Sequence, residues 1–206
     1  MKNLPFDTID TDAEDVQALE DIYKVLKEKF TVGLPLETGI QLSQFEIFNN
    51  FPGASIGGTL LIDHPENGCY LLFVKVPTHI QNGRGPSLNY YKYQVWAYAT
   101  LRNDFGSTIV KRETFIDRLL NVLHPVELKF EDDPAFNKEF NVVATDKQKA
   151  RNAMTPAFRG AIKGIQMKDF VIEIANNSLL IGSIEPITPP QTLELSAIAA
   201  NLSTIK

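Results

Sequence analysis

Along Thr11 to Phe30, the apolar residues Val16, Leu19, Tyr23, Leu26 and Phe30 recur at alternating gaps of three and four, which places them on one face of a helix. Asp12 is positioned to cap its start. Glu14 and Asp15 fall in the first turn, and Lys27 and Lys29 lie near the end, as the helix dipole favours. Such a stripe covers the chain's own sheet; the competing reading is a partner-binding face. After a short link, Val32 to Leu36, the spacing changes to strand-like runs at Ile40 to Phe48 and Ile56 to Ile62, punctuated by Asn49, Asn50, Pro52 and Gly53. His64 to Gly68 reads as a turn. Tyr70 to Val76 is apolar throughout, the pattern of a strand buried on both faces.

Tyr90 to Leu101 is aromatic and β-branched and predicts a long strand. Alternation puts Tyr91, Tyr93 and Val95 on one of its faces and Lys92, Gln94, Trp96 and Tyr98 on the other. Between the two long strands, Pro77 to Asn89 has the Gly, Asn, Pro and Ser content of a mobile surface loop. Further on, Ser107 to Val110 is strand-like, and Thr114 opens a short helix that His124-Pro125 ends. Val126 to Phe130 and Asn141 to Thr145 read as strands, with one or two helical turns at Ala135 to Phe140. Asp146 caps Lys147 to Met154, and Thr155-Pro156 starts a helix running to about Ile165. Phe170 to Ala175 and Leu179 to Ile184 flank Asn176-Asn177-Ser178, a tight-hairpin signature. Pro189-Pro190 begins a last helix with Leu195, Ile198, Leu202 and Ile205 on one face.

Strands outnumber helices and their links are short. The fold class is therefore α+β, a mainly antiparallel β-sheet with helices packed on one side. At 206 residues this is one α+β domain over 1–206, with 1–112 and 113–206 as its two lobes if it divides. A nucleotide-binding α/β fold needs a regular alternation of strand and helix that Ile40 to Val110 lacks.

Composition narrows the function classes. The formal net charge is -5, and the cations Lys147, Lys149 and Arg151 follow an acidic run, Glu131, Asp132 and Asp133, so a nucleic-acid partner is disfavoured. A single cysteine, Cys69, excludes an intramolecular disulfide and a Cys-based zinc cage. No run approaches the roughly 18 apolar residues of a membrane-spanning helix, and the first residues lack a signal peptide's apolar stretch. A cytoplasmic location is expected.

Candidate chemistry is sparse. Asp63-His64-x-Glu66 gathers an imidazole and two carboxylates beside Cys69, the one place where a hydrolase or metal-dependent enzyme would find ligands and a nucleophile. The spacing matches no established metal motif, and solvated turn residues with a buried structural thiol explain it more simply. His79 and His124 also lie near turn residues. Gly53-Ala54-Ser55-Ile56-Gly57-Gly58-Thr59 precedes a strand and fits neither phosphate-binding pattern. No cofactor, catalytic or metal residue is assigned.

Residues Asp133 to Phe158, with the hairpin to about Ile184, resemble the bacterial family known as domain of unknown function 3137. The likeness rests on Phe136 and Phe140, a strand ending at Asp146, Ala150-Arg151, and the helix start Thr155-Pro156. The family supplies no catalytic residue, and the hydrophobic N-terminal helices of many members are missing here. Each motif residue has a structural job: Phe136 and Phe140 anchor a helical turn, Asp146 and Thr155 cap, Pro156 sets a helix direction, and Arg151 pairs with Asp146 or with a sheet carboxylate. The functional alternative makes Arg151 an anion ligand. The sequence thus points to a non-catalytic interaction or regulatory domain with a protein partner.

Overall fold

The long apolar runs in the middle of the chain lie side by side, and the rest of the molecule is arranged around them. A computed structural model describes residues 4–63, 68–80, 88–112 and 126–205. Its strands are β1 (Thr31–Gly33), β2 (Ser55–Asp63), β3 (Cys69–Ile80), β4 (Leu88–Thr100), β5 (Ser107–Arg112), β6 (Val126–Leu128), β7 (Phe140–Ala144), β8 (Val171–Ala175) and β9 (Ser178–Gly182). Among the described residues these form one nine-stranded sheet in the order β1-β2-β3-β4-β9-β8-β5-β7-β6. Every ladder is antiparallel. The helices are α1 (Ala13–Lys29), α2 (Pro134–Glu139), α3 (Lys147–Ala153), α4 (Pro156–Lys163) and α5 (Pro189–Thr204). The class is α+β, as the pattern predicts. The sheet is continuous across residue 112, because β5 lies between β8 and β7.

Alternation along each strand divides the core in two. Tyr93, Val95, Ala97 and Ala99 of β4, Ile172 and Ile174 of β8, and Leu179 and Ile181 of β9 join the helices in one large cluster. Leu72, Val74, Val76, Trp96 and Leu180 point the other way and meet Phe45, Ile47 and Phe48. α5 lies against β3, β4 and β9 and also touches α1 and α4. Its buried positions Thr192, Ser196, Ala199, Ala200 and Ser203 are small, which permits close approach. The buried hydroxyls bond back to their own helix: Thr192 Oγ1 to Thr188 O at 2.9 Å and Ser196 Oγ to Leu193 O at 2.8 Å.

Local signals explain most element boundaries. The Asp12 side chain accepts from Asp15 N, Asp146 from Gln148 N and Lys149 N, and Thr155 from Phe158 N. Asn176 takes φ 60° in the β8–β9 turn, a conformation asparagine tolerates. The motif phenylalanines pack together: Phe136 and Phe140 have ring centroids 4.9 Å apart, with Phe130 and Phe170 beside them.

Three expectations need correction. Ile40 to Phe48 is not a strand; it forms two short 3-10 turns, Leu42–Gln44 and Glu46–Asn50. Its apolar residues cover the second face of the sheet, and the backbone N–H groups of Glu46 and Ile47 go to a buried carboxylate, not to a ladder. The link after α1 contains the edge strand β1. The Pro77 to Asn89 loop is shorter than its composition implies, because β3 runs on to Ile80 and β4 starts at Leu88; cross-strand pairing overrides the local turn preference. The Thr114 helix lies outside the described residues.

Candidate functional site at the open end of β4

β9 stops at Gly182, so its ladder with β4 covers only Trp96 to Thr100. Among the described residues no strand lies beside the edge of β4 before Trp96 on the β9 side, and unpaired strand edges recruit other chains. Here the segment around Asp10 to Asp15 fills the gap. Tyr91 N donates to Asp10 O at 3.0 Å, and Tyr93 N donates to Asp15 Oδ2 at 2.7 Å. Asp15 is only 6% exposed, and burial pushes its carboxyl above the ordinary range. It lies in register with Leu19, Ile22 and Leu26, the other buried positions of α1. Asp12 pairs with Lys92, and that bond raises the lysine.

The preceding segment, residues 5–10, is strapped across β2 and β3. Asp7 N donates to Gly57 O at 2.7 Å. Lys75, 4% exposed, sends its ammonium to Asp7 Oδ2 at 2.8 Å and Ile9 O at 2.9 Å, and lies 4.4 Å from the centre of the Tyr91 ring. This bond holds the Asp7 carboxyl below its usual range. The Tyr93 hydroxyl donates to Asp7 O. Gly57 sits at a bulge in β2, and a Cβ there would collide with the Tyr93 hydroxyl and Lys75, while one at Gly58 would strike Phe6. These glycines make room for the strap.

At this open end lies a cavity of about 390 Å³ lined by Asp15, Phe51, Val76, Thr78, Lys92, Tyr93, Gln94, Ile184 and Pro186. Gln94, 6% exposed, accepts from Trp96 Nε1 through its Oε1 at 3.0 Å. The cavity therefore combines a buried carboxylate, a buried amide, a hydroxyl and an ammonium with apolar walls. Sequence reasoning placed Gln94 and Lys92 on one face of β4 but read Asp15 only as a first-turn acid. Its spacing from Leu19, Ile22 and Leu26 was the available signal.

A second buried carboxylate lies on the other side of the sheet. Glu173, 2% exposed, accepts from Ile47 N at 3.0 Å and from Glu46 N, so it caps the 3-10 turn that covers the second face. Burial raises it to about 7, with the nearby Glu46 charge adding to the effect.

Of the residues singled out from the sequence, Cys69 and the Phe136 to Pro156 motif lie within the described structure. Cys69 is buried, its Sγ donates to Ser196 O at 3.5 Å, and burial pushes its thiol up to about 12. That environment opposes thiolate chemistry. His64, Glu66 and His124 lie outside the described residues. Among the described residues, no group of three His, Cys, Asp or Glu side chains is placed to hold a metal ion. Arg151 pairs neither with Asp146 nor with a sheet carboxylate; its Nη2 donates to Lys129 O at 3.4 Å. The buried arginine of this region is Arg159, 3% exposed. It donates to Met154 O at 2.8 Å and to Asp132 and Asp133, and lies over Phe130. Both arginines line a cleft of about 400 Å³. Each of the three guanidinium nitrogens of Arg159 donates to a protein acceptor.

No family model matches the chain, and no curated protein matches it. Its fold is similar to the crystal structure of the mycobacterial trehalose monomycolate transport factor A, TtfA. The TM-score is 0.57 at 9% identity, over 89% of this chain and 91% of that one. At this identity the likeness concerns the fold alone. No helix among the described residues is long and apolar enough to cross a membrane.

Proposed function

We propose that this chain is a non-catalytic interaction or regulatory domain that works with a protein partner in the bacterial cytoplasm. The observation that carries the reading is how the buried polar groups are used. Asp15 serves Tyr93 N, Glu173 serves Glu46 N and Ile47 N, Lys75 serves Ile9 O, and Arg159 serves Met154 O. Each holds one backbone segment against another. Catalysis needs a nucleophile, a base and an orienting group in mutual reach, and among the described residues the partner of the buried Cys69 thiol is a backbone carbonyl, Ser196 O.

Two further points support the reading. The protein of similar fold is a transport factor. Ile9, Leu34 and Leu36 are large apolar side chains exposed at 72%, 56% and 102%, available for contact with a partner. Kinship with domain of unknown function 3137 belongs to the same proposal and rests on the Phe136 to Pro156 motif.

The test is affinity purification of the tagged protein from its native host, with Leu34→Ser/Leu36→Ser as a surface control. Recovery of one stoichiometric partner supports the reading. Repeated recovery of the chain alone overturns it.

A further inference from the structure

We propose that residues 5–9 are an exchangeable strap: the groove they fill also takes the same segment of a second copy of this chain, which gives a strap-exchanged dimer. The groove is built for this segment. Lys75 is 4% exposed, and among the described residues both acceptors of its ammonium, Asp7 Oδ2 and Ile9 O, belong to the strap. A buried ammonium is costly without such acceptors, so the groove calls for a carboxylate at this point. The Tyr93 hydroxyl donates to Asp7 O, Asp7 N donates to Gly57 O, and the Phe6 ring centre lies 4.5 Å from that of Phe73. A Cβ on Gly58 would strike Phe6, and one on Gly57 would displace Lys75 and Tyr93. The strap is thin by comparison: of residues 4–10, only Phe6 is buried. The groove therefore selects an aromatic ring followed directly by a carboxylate on an extended backbone. Every copy of the chain carries that pair, Phe6-Asp7.

One turn decides which groove the strap enters. Thr11 N donates to Thr8 O at 3.3 Å, and Asp10 inside this turn holds φ 55°. Residues other than glycine disfavour that region, although aspartate tolerates it better than most. Straightening the chain at Asp10 relieves this conformation and carries the strap away from its own groove. Its contacts are then remade in the groove of a neighbour, the low-cost route to a dimer that segment exchange offers. The tether gives the closed form an effective concentration in the millimolar range, so the exchanged dimer grows in as the chain approaches that concentration. This inference does not rest on the partner reading: recovery from the host tests that one, and a purified chain suffices here.

The experiment measures the mass of the full chain by light scattering from micromolar to millimolar concentration, with variants at the hinge and in the strap. Proline cannot adopt a positive φ. Asp10→Pro therefore forbids the closed turn and should dimerise at least about tenfold more tightly than wild type, because the competing closed form is gone. Asp10→Gly favours the turn and should dimerise more weakly than wild type. In Asp10→Pro the strap contacts exist only between copies, so adding Asp7→Asn should weaken that dimer at least about tenfold by removing the charge-assisted bond to Lys75. A dimer formed through any other surface would be indifferent to Asp7→Asn. A folded Asp10→Pro chain that stays monomeric, or an Asp10→Pro dimer unaffected by Asp7→Asn, overturns the proposal. If Asp10→Pro does not fold, wild type and Asp10→Gly decide: a wild type that is monomeric up to millimolar concentration, or equal dimerisation of the two, overturns it.

Discussion

On one face of the sheet, α1, α4 and α5 bury a continuous apolar surface and make their own backbone hydrogen bonds. On the other, two 3-10 turns between Leu42 and Asn50 lie over Leu72, Val74, Trp96 and Leu180. The first cover brings its structure with it. The second is short, and the sheet reaches up to organise it: Glu173 caps its second turn and Phe48 stands edge-on to Trp96 at 5.3 Å. A helix satisfies its interior donors internally, whereas a 3-10 segment of this length leaves donors over. That is why a buried carboxylate caps the cover itself on one face, whereas on the helix face the buried Asp15 serves a strand donor, Tyr93 N, and no donor of the covering helices.

The largest test of this contrast is on the helix face. Phe140 is 1% exposed, stacks between Phe136 and Phe170, and carries the Arg112 guanidinium over its ring. Phe140→Ala should cost about 3–5 kcal/mol in urea unfolding, with one cooperative transition. A loss below about 1 kcal/mol would mean that the helix face can relax around the cavity, and the contrast would fail.

The second face should respond more locally. Trp96 lies flat over Gly182, and a Cβ there would run into the indole. Gly182→Ala should cost about 1–3 kcal/mol by overpacking and should red-shift tryptophan emission. Far-UV circular dichroism should be preserved, because the displaced side chain sits under the 3-10 cover. Unchanged emission would show that the indole is not confined as described.

Glu173 gives the comparison a pH dependence. Its carboxyl is raised from 4.5 to about 7, so the folded state binds the proton more readily than the unfolded chain. Its ionisation therefore opposes folding: the penalty is absent below about pH 4.5 and complete above about pH 7. Between pH 5 and pH 8 the wild-type protein should lose about 2 kcal/mol relative to Glu173→Gln. Parallel stability curves for the two proteins would show that the two backbone N–H bonds offset burial fully.

The same contrast explains what could be read from the sequence. Period-2 runs, the caps at Asp12, Asp146 and Thr155, and the Asn176 turn are local signals, and they located most of the sheet and the helix face. The second cover was hidden because Ile40, Leu42, Phe45, Ile47 and Phe48 make a short apolar-rich run that reads as a strand, and only a contact 126 residues away, Ile47 N to Glu173, shows why they do not form one. The open end of β4 was hidden for a related reason. It exists because β9 ends at Gly182, and Asp15 acquires its role from that missing partner.

The smallest expected effect concerns the motif arginine at the margin of the helix face. Arg151 is exposed, and its bond to Lys129 O is long at 3.4 Å, whereas Arg159 beside it is buried and bonded through all three of its guanidinium nitrogens. Arg151→Lys keeps the charge and nearly the same helix propensity, and it removes only that marginal bond. Its unfolding free energy should stay within about 0.5 kcal/mol of wild type. A loss above about 1 kcal/mol would make Arg151 a structural residue of the helix face after all. Unchanged stability together with loss of the co-purifying partner would place Arg151 on the interaction surface, because a side chain that contributes nothing to the fold can matter only through what it touches outside it.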